Sequence, residues 1–223
     1  QPDMKNTITV TILFCILLYV AGLSYKIIGG AVLIVVPLLI IFLSIVVQPD
    51  QTLIKDYQRN RIMAFFDPAT YADTEAYQQL NSVIAIGSGQ LWGKGLNNTD
   101  IASVKNGNFL PESQTDFIFA IIGEELGFIG SAVVILLLIL IAMRCVSIAR
   151  VAKDTAGMVI AAGIGALIGI QGFMNIAVAT MMMPNTGLPL PFVSYGLSSL
   201  VSMYIGIGFV LNVGLQRKNL YNF

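Results

Sequence analysis

From Thr155 to Gln216 the chain carries no charged residue. A soluble domain keeps roughly 25% charged residues around its core. This chain has 11% charged and 56% hydrophobic residues, with a mean hydropathy of +0.81. The uncharged run is also longer than the about 20 residues that cross the hydrocarbon layer once. Pro184-Asn-Thr-Gly-Leu-Pro-Leu-Pro191 interrupts it, and prolines and glycine at that density end a helix. The run therefore predicts two membrane spans, about 157–180 and about 198–215, joined by an irregular hairpin.

The same reasoning finds three earlier spans. Residues 7–23 are uncharged, with Tyr19 and Tyr25 near one end, where interfacial aromatics belong. Residues 27–47 are uncharged too and contain Gly29, Gly30 and Pro37, whose ring is expected to kink the helix. A third apolar stretch runs over 116–143 and stops before Arg144. Between the second and third spans, charges of both signs mark a large loop over 48–115. Within it Leu53, Ile54, Tyr57, Ile62, Phe65 and Phe66 are interleaved with Lys55, Arg59 and Arg61, the pattern of a helix lying on a membrane surface. Residues 77–86 read as a second short helix. The expectation is an all-α polytopic integral membrane protein, a single membrane domain over 1–223 with five transmembrane helices and one large extracytoplasmic loop. The chain opens at Gln1 and reads as a piece of a longer protein.

Orientation follows from the short connections. Lys26, then Arg144, Arg150 and Lys153, then Arg217 and Lys218 fall on one side of five spans. The positive-inside rule makes that side cytoplasmic, together with the C-terminus. The 48–115 loop, Asp116 and the 184–197 hairpin are then expected outside. Zero net charge gives no electrostatic case for nucleic acid. The absence of histidine removes the commonest metal ligand and general base. Cys15 and Cys145 sit in apolar segments and read as lipid- or core-facing thiols rather than a disulfide or metal pair.

Three carboxylates stand where a polar loop meets an apolar helix: Asp116, Glu124 and Glu125. Carboxylates are expensive at a membrane boundary and usually have a use there. Ser113-Gln-Thr-Asp116 matches a capping box, so Asp116 reads either as part of a helix cap or as a base or cation ligand. Glu124 lies eight residues further on, about 12 Å deeper and within about 80° of the same face. It reads either as a buried carboxylate bonded to a neighbouring helix or as part of a proton or cation path. Gly87-Ser-Gly-Gln-Leu-Trp-Gly93-Lys94-Gly95 lacks the spacing and the Ser or Thr of a phosphate-binding loop. It reads as a flexible glycine turn, with Lys94 available to a phosphate group. The fourth span is rich in Gly and Ala, which let helices approach closely, and its Gln171 and Asn175 share a side that prefers the bundle interior. In the hairpin, Ser194, Ser198 and Ser199 are hydrogen-bond donors, and Phe192 and Tyr195 can pack on a sugar or lipid. The hairpin is expected beside Asp116, as the other wall of one site.

Gln1-Pro-Asp3, Ala85-Ile-Gly-Ser-Gly89, Gly93-Lys-Gly95, Leu110-Pro-Glu-x-x-Thr-Asp-Phe-Ile-Phe119, Gly123-Glu-Glu-Leu-Gly127 and Thr186-Gly-Leu-Pro-Leu-Pro-Phe-Val-Ser-Tyr-Gly196 together resemble the SEDS family (RodA, FtsW, SpoVE), most of all its RodA branch. Leu197, Asn108 and Gln114 depart from the family's usual residues. The resemblance implies a ten-helix fold, of which these would be the last five helices, in the bacterial plasma membrane. It also implies a peptidoglycan glycosyltransferase that polymerises lipid II during cell-wall elongation, shape maintenance and division, beside a class B penicillin-binding protein. The family's essential aspartate maps onto Asp116. Arg59, Arg61, Lys94 and Lys105, or a divalent cation (Mg or Mn), would neutralise the pyrophosphate leaving group. Glu112, Ser194, Tyr195, Ser198 and Ser199 join them as substrate-binding candidates. Broken helices and intramembrane Glu124 also suit a lipid II flippase or transporter, and a non-catalytic scaffold of the wall machinery is a third reading.

Overall fold

A computed structural model describes residues 4–46, 55–96, 103, 110 and 113–216. Its regular elements are all helices: α1 (Met4–Val20), α2 (Tyr25–Val46), α3 (Asp56–Phe66), α4 (Tyr77–Ser88), α5 (Ile118–Arg150), α6 (Thr155–Ala179) and α7 (Leu197–Leu215). Among the described residues, α2, α5, α6 and α7 are long and apolar enough to cross a membrane, and the chain is a multi-pass membrane protein. The first expected span, 7–23, is a helix over Met4–Val20 instead. Gly22, at φ +105, turns the chain before Leu23. Its 17 residues rise about 26 Å, a short span close to the about 30 Å hydrocarbon layer. Helices α3 and α4 stand within the loop where the interleaved pattern and residues 77–86 predict them.

Helix α6 is the hub, in contact with α1, α4, α5 and α7. Its small residues explain why. A Cβ on Gly165 would stand 2.9 Å from Cys145 Cβ and 3.0 Å from the Ala142 carbonyl of α5. One on Gly163 would meet Leu17 of α1 at 2.8 Å. From the other side, a Cβ on Gly206 of α7 would meet Ile164 at 2.9 Å. In lipid there is no hydrophobic drive between helices, so backbone approach of this kind supplies the packing energy. The outer faces remain apolar and exposed, as at Leu33, Leu136, Phe173 and Phe209, and the lipid covers them.

The span expected as one helix over 116–143 starts later, ends later and is broken. It begins at Ile118, reaches Arg150 and is interrupted at Gly127 (φ 66, ψ −163), a backbone region open in practice only to glycine. A break in the i→i−4 ladder orphans carbonyls before it and N–H groups after it. Residues 90–95 supply partners for four of them. The backbone N–H groups of Lys94 and Gly95 donate to the carbonyls of Glu124 (2.9 Å) and Glu125 (3.0 Å), while those of Phe128 and Ile129 donate to Gln90 (2.8 Å) and Leu91 (3.2 Å). Side chains would prevent this approach: a Cβ on Gly93 would lie 2.2 Å from the Glu125 carbonyl oxygen. The glycine segment expected to be flexible is thus a splint bound along a broken helix. Its glycines give backbone access rather than looseness.

Candidate functional site

Asp116 lies in a turn over 113–117 that feeds α5 and is half-buried. The helix cap position is Phe117, whose side chain makes no cap bond. A capping box with Ser113 as the cap is therefore out of register with the helix. Residues 113–117 are spent on a turn that receives bonds from elsewhere in the fold. Three successive carbonyls of that turn are held by groups from three positions downstream. Gln114 accepts from the Tyr195 backbone N–H at 2.9 Å, Thr115 from Ser194 Oγ at 2.5 Å, and Asp116 from Asn175 Nδ2 at 2.7 Å.

Each of those groups is itself fixed. Asn175 is 1% exposed, and its amide also donates to the Leu188 carbonyl at 2.7 Å. One side chain of α6 thereby ties the Asp116 turn to the hairpin. Ser194 is equally buried, and its hydroxyl accepts from the Leu190 N–H at 2.7 Å while donating to Thr115. Its donor is used inside the protein, where Ser194 braces the turn. The hairpin contains Gly187 at φ 67 and Phe192 at φ 64. The second is a strained backbone for a bulky residue, and its ring packs edge-on against Tyr204 at 5.7 Å. Leu188, Leu190 and Pro191 are buried, so protein covers this part of the irregular backbone. Tyr195 and Ser198 are exposed and Ser199 is half-buried.

Glu124 is 1% exposed, and its Oε1 lies 2.8 Å from Nζ of Lys94. A buried carboxylate must be paired, and here the 90–95 splint supplies a cation for it. The Lys94 charge is therefore engaged internally, which bears on both the phosphate reading of Lys94 and the open proton-path reading of Glu124. Glu125 is half-buried. Arg59 directs its Nε to the Val46 carbonyl at 3.3 Å, and Arg61 is exposed. Lys105 and Glu112 lie outside the described residues. Among the described residues no group of three or more His, Cys, Asp or Glu gathers into a metal cluster. A cleft of about 390 Å³ lined by Cys15, Ile16, Tyr19, Tyr25 and Ile28 carries neither a carboxylate nor an amine.

Sequence reasoning missed the fasteners. Asn175 was legible only as a polar residue with a preference for the interior. Gln79 of α4 gave no signal, and Ser82 of α4 none beyond the family resemblance. Yet Gln79 Nε2 donates to the carbonyls of Val178 (3.0 Å) and Met183 (2.8 Å), and Ser82 Oγ donates to Ala179 (2.7 Å). They bond carbonyls at the end of α6 and just after it and so hold the approach to the hairpin.

Chemically, the turn presents one carboxylate at the start of an apolar helix, with its backbone locked from behind and its flank formed by the hairpin. Such a group can accept a proton or hold a cation beside a substrate.

Peptidoglycan glycosyltransferase MrdB of Escherichia coli is 39% identical over 223 residues, which is 99% of this chain and 57% of the relative. Probable peptidoglycan glycosyltransferase FtsW of Nitrosomonas europaea is 36% identical over 221 residues, 98% of this chain and 54% of that protein. A solved chain from work on the structural coordination of polymerization and crosslinking by a peptidoglycan synthase complex superposes with a TM-score of 0.72 at 27% identity. That match covers 98% of this chain and 57% of the other. The chain thus spans little more than half the length of these relatives. The family model of the FtsW, RodA and SpoVE cell cycle proteins matches residues 1–219, and the chain belongs to that family.

Proposed function

We propose that the protein containing this chain is a peptidoglycan glycosyltransferase that polymerises lipid II into glycan strands, with Asp116 as its catalytic carboxylate. The observation that carries the reading is the placement of Asp116. It stands within the Thr-Asp-Phe motif at the start of α5, and its backbone is clamped by Asn175 between Ser194-bound Thr115 and the helix. The acceptor sugar hydroxyl must lose a proton as it attacks, and Asp116 takes it. The lipid pyrophosphate leaves as an anion and needs charge neutralisation rather than a proton. Arg59, Arg61 and Lys105 are the cations for that task, with Lys94 contributing from its pair with Glu124. Glu112, Tyr195, Ser198 and Ser199 border the sugar and lipid.

A divalent cation would fit at one ligand of this set. Mg²⁺ in phosphate chemistry is held by one or two carboxylates plus the phosphates of the substrate. Asp116 supplies one such carboxylate, and a bound Mg or Mn ion would neutralise the leaving pyrophosphate.

The protein works in the bacterial plasma membrane, serves wall elongation, shape and division, and pairs with a class B penicillin-binding protein that crosslinks the strands. Residues 48–115 face outward and the C-terminus faces the cytoplasm. A cysteine placed at Asp73 is accordingly labelled from outside intact cells, and labelling only after permeabilisation would overturn that topology. The activity is tested with the intact protein in detergent supplied with lipid II. Asp116→Asn and Asp116→Ala abolish glycan strands while thermal stability and membrane insertion stay near those of the parent. Near-normal polymerisation by Asp116→Asn would remove the base and cation roles together.

A further inference from the structure

The 48–115 segment reads from its charges as a loop outside the membrane, yet part of it is bonded to a membrane helix at a defined depth. Helix α5 carries the charge of Arg144 at one end, exposed and followed by Arg150. From Phe128 to Arg144 is 17 residues of helix, about 26 Å along the axis. That nearly matches the about 30 Å hydrocarbon thickness, so Phe128 and Ile129 stand at the opposite edge of the hydrocarbon layer. Their N–H groups bond the carbonyls of Gln90 and Leu91, which puts the loop at the same level.

The composition and contacts of the loop suit that level. Between Ile84 and Leu96 the only charge is Lys94, and it is paired with Glu124 at 2.8 Å. Irregular backbone at membrane depth needs protein partners, and the α5 break provides them. What the loop leaves uncovered is mostly apolar, Leu91, Leu96 and Trp92, the last 80% exposed, with the neutral amide of Gln90 beside them. The adjoining surface, formed by Phe128 and Ile129 of α5, is likewise exposed and apolar, so the patch continues the lipid-facing side of α5.

We propose that residues 89–96 are a membrane-embedded segment in which Leu91, Trp92 and Leu96 dock against the acyl chains of the leaflet on the α5 N-terminal side, just below the headgroups. Tryptophan is the residue that favours that boundary, with an apolar ring and one polar N–H. The Lys94–Glu124 pair lets the only cation of the segment enter without an unpaired charge. The inference does not depend on the chemistry assigned to Asp116.

Trp92 is the only tryptophan of this chain and serves as its own probe. The intact protein and its Trp92→Phe variant are reconstituted in phosphatidylcholine vesicles, and the difference spectrum gives the emission of Trp92. The expected result is a blue-shifted emission that loses intensity when brominated phosphatidylcholine replaces the parent lipid. Bromine near the headgroup end of the chain quenches more than bromine near the bilayer centre, and aqueous acrylamide quenches little. Red-shifted emission open to acrylamide would place the loop in water and overturn the proposal. Blue-shifted emission indifferent to bromolipid would mean that protein covers Trp92, and would overturn it as well.

Discussion

Three alanine substitutions in one short segment separate what its glycines do. Gly89 has an ordinary backbone (φ −76), but a Cβ there would lie 1.9 Å from the Gly123 carbonyl oxygen. Gly95 has φ +93 and nothing within 4 Å of a Cβ. Gly93 combines both conditions, with φ +79 and a Cβ position 2.2 Å from the Glu125 carbonyl oxygen. Gly95→Ala therefore costs only the left-handed backbone, about 1–2 kcal/mol. Gly89→Ala costs overpacking of about 3 kcal/mol or more. For Gly93→Ala, restoring ordinary contact at 3.4 Å requires a retreat of 3.4 − 2.2 = 1.2 Å. That retreat strains the bonds from Lys94 and Gly95 to Glu124 and Glu125, now 2.9 and 3.0 Å. Leaving such groups unpaired costs about 1–3 kcal/mol each, so with the left-handed backbone the total is about 3–8 kcal/mol. The assay is equilibrium unfolding of the intact protein in mixed SDS micelles, followed by far-ultraviolet circular dichroism. The expected result is that Gly93→Ala and Gly89→Ala are both far more damaging than Gly95→Ala. If Gly95→Ala were as damaging as Gly93→Ala, or Gly89→Ala indistinguishable from the parent, the splint would not be held by close backbone approach.

Lys94→Met leaves Glu124 buried without its counter-ion and costs about 3–5 kcal/mol, most of it recovered in Lys94→Met/Glu124→Gln. Additive effects in the same unfolding assay would show that the two side chains are not coupled. Asn175→Ala strips the Asp116 and Leu188 carbonyls of a buried donor and costs about 2–4 kcal/mol. Lipid II polymerisation falls with it although Asp116 is untouched, and an unchanged rate would detach the clamp from the site. On α6, Gly169→Ala meets nothing within 4 Å and stabilises by about 0.5–1 kcal/mol. Gly165→Leu meets Cys145 and Ala142 of α5 and costs about 1–3 kcal/mol or more. The two are compared by thermal unfolding in detergent, and equal midpoints would contradict the α5–α6 packing.

Apolar length and charge spacing are properties of consecutive residues, so the sequence alone determined that α6 and α7 exist and nearly where they end. It located α3 and α4 inside the charged loop for the same reason. It singled out Asp116 by the cost of a carboxylate at that boundary, and its motifs carried the family. It could not determine what closes a hydrogen bond across distant positions. Gly127 within an apolar run looks like any helix-tolerated glycine, and Gly89 and Gly93 look like turn residues. Only their juxtaposition in three dimensions reveals a broken helix whose orphaned N–H and carbonyl groups are satisfied from a segment 30 to 38 positions upstream. The same holds for Glu124, whose cost in the membrane was readable but whose partner Lys94 was not. It holds again for the turn over 114–116, where Asn175, Ser194 and Tyr195 close on three consecutive carbonyls. A buried polar group announces that it needs a partner, and the tertiary fold decides which one comes within 3 Å.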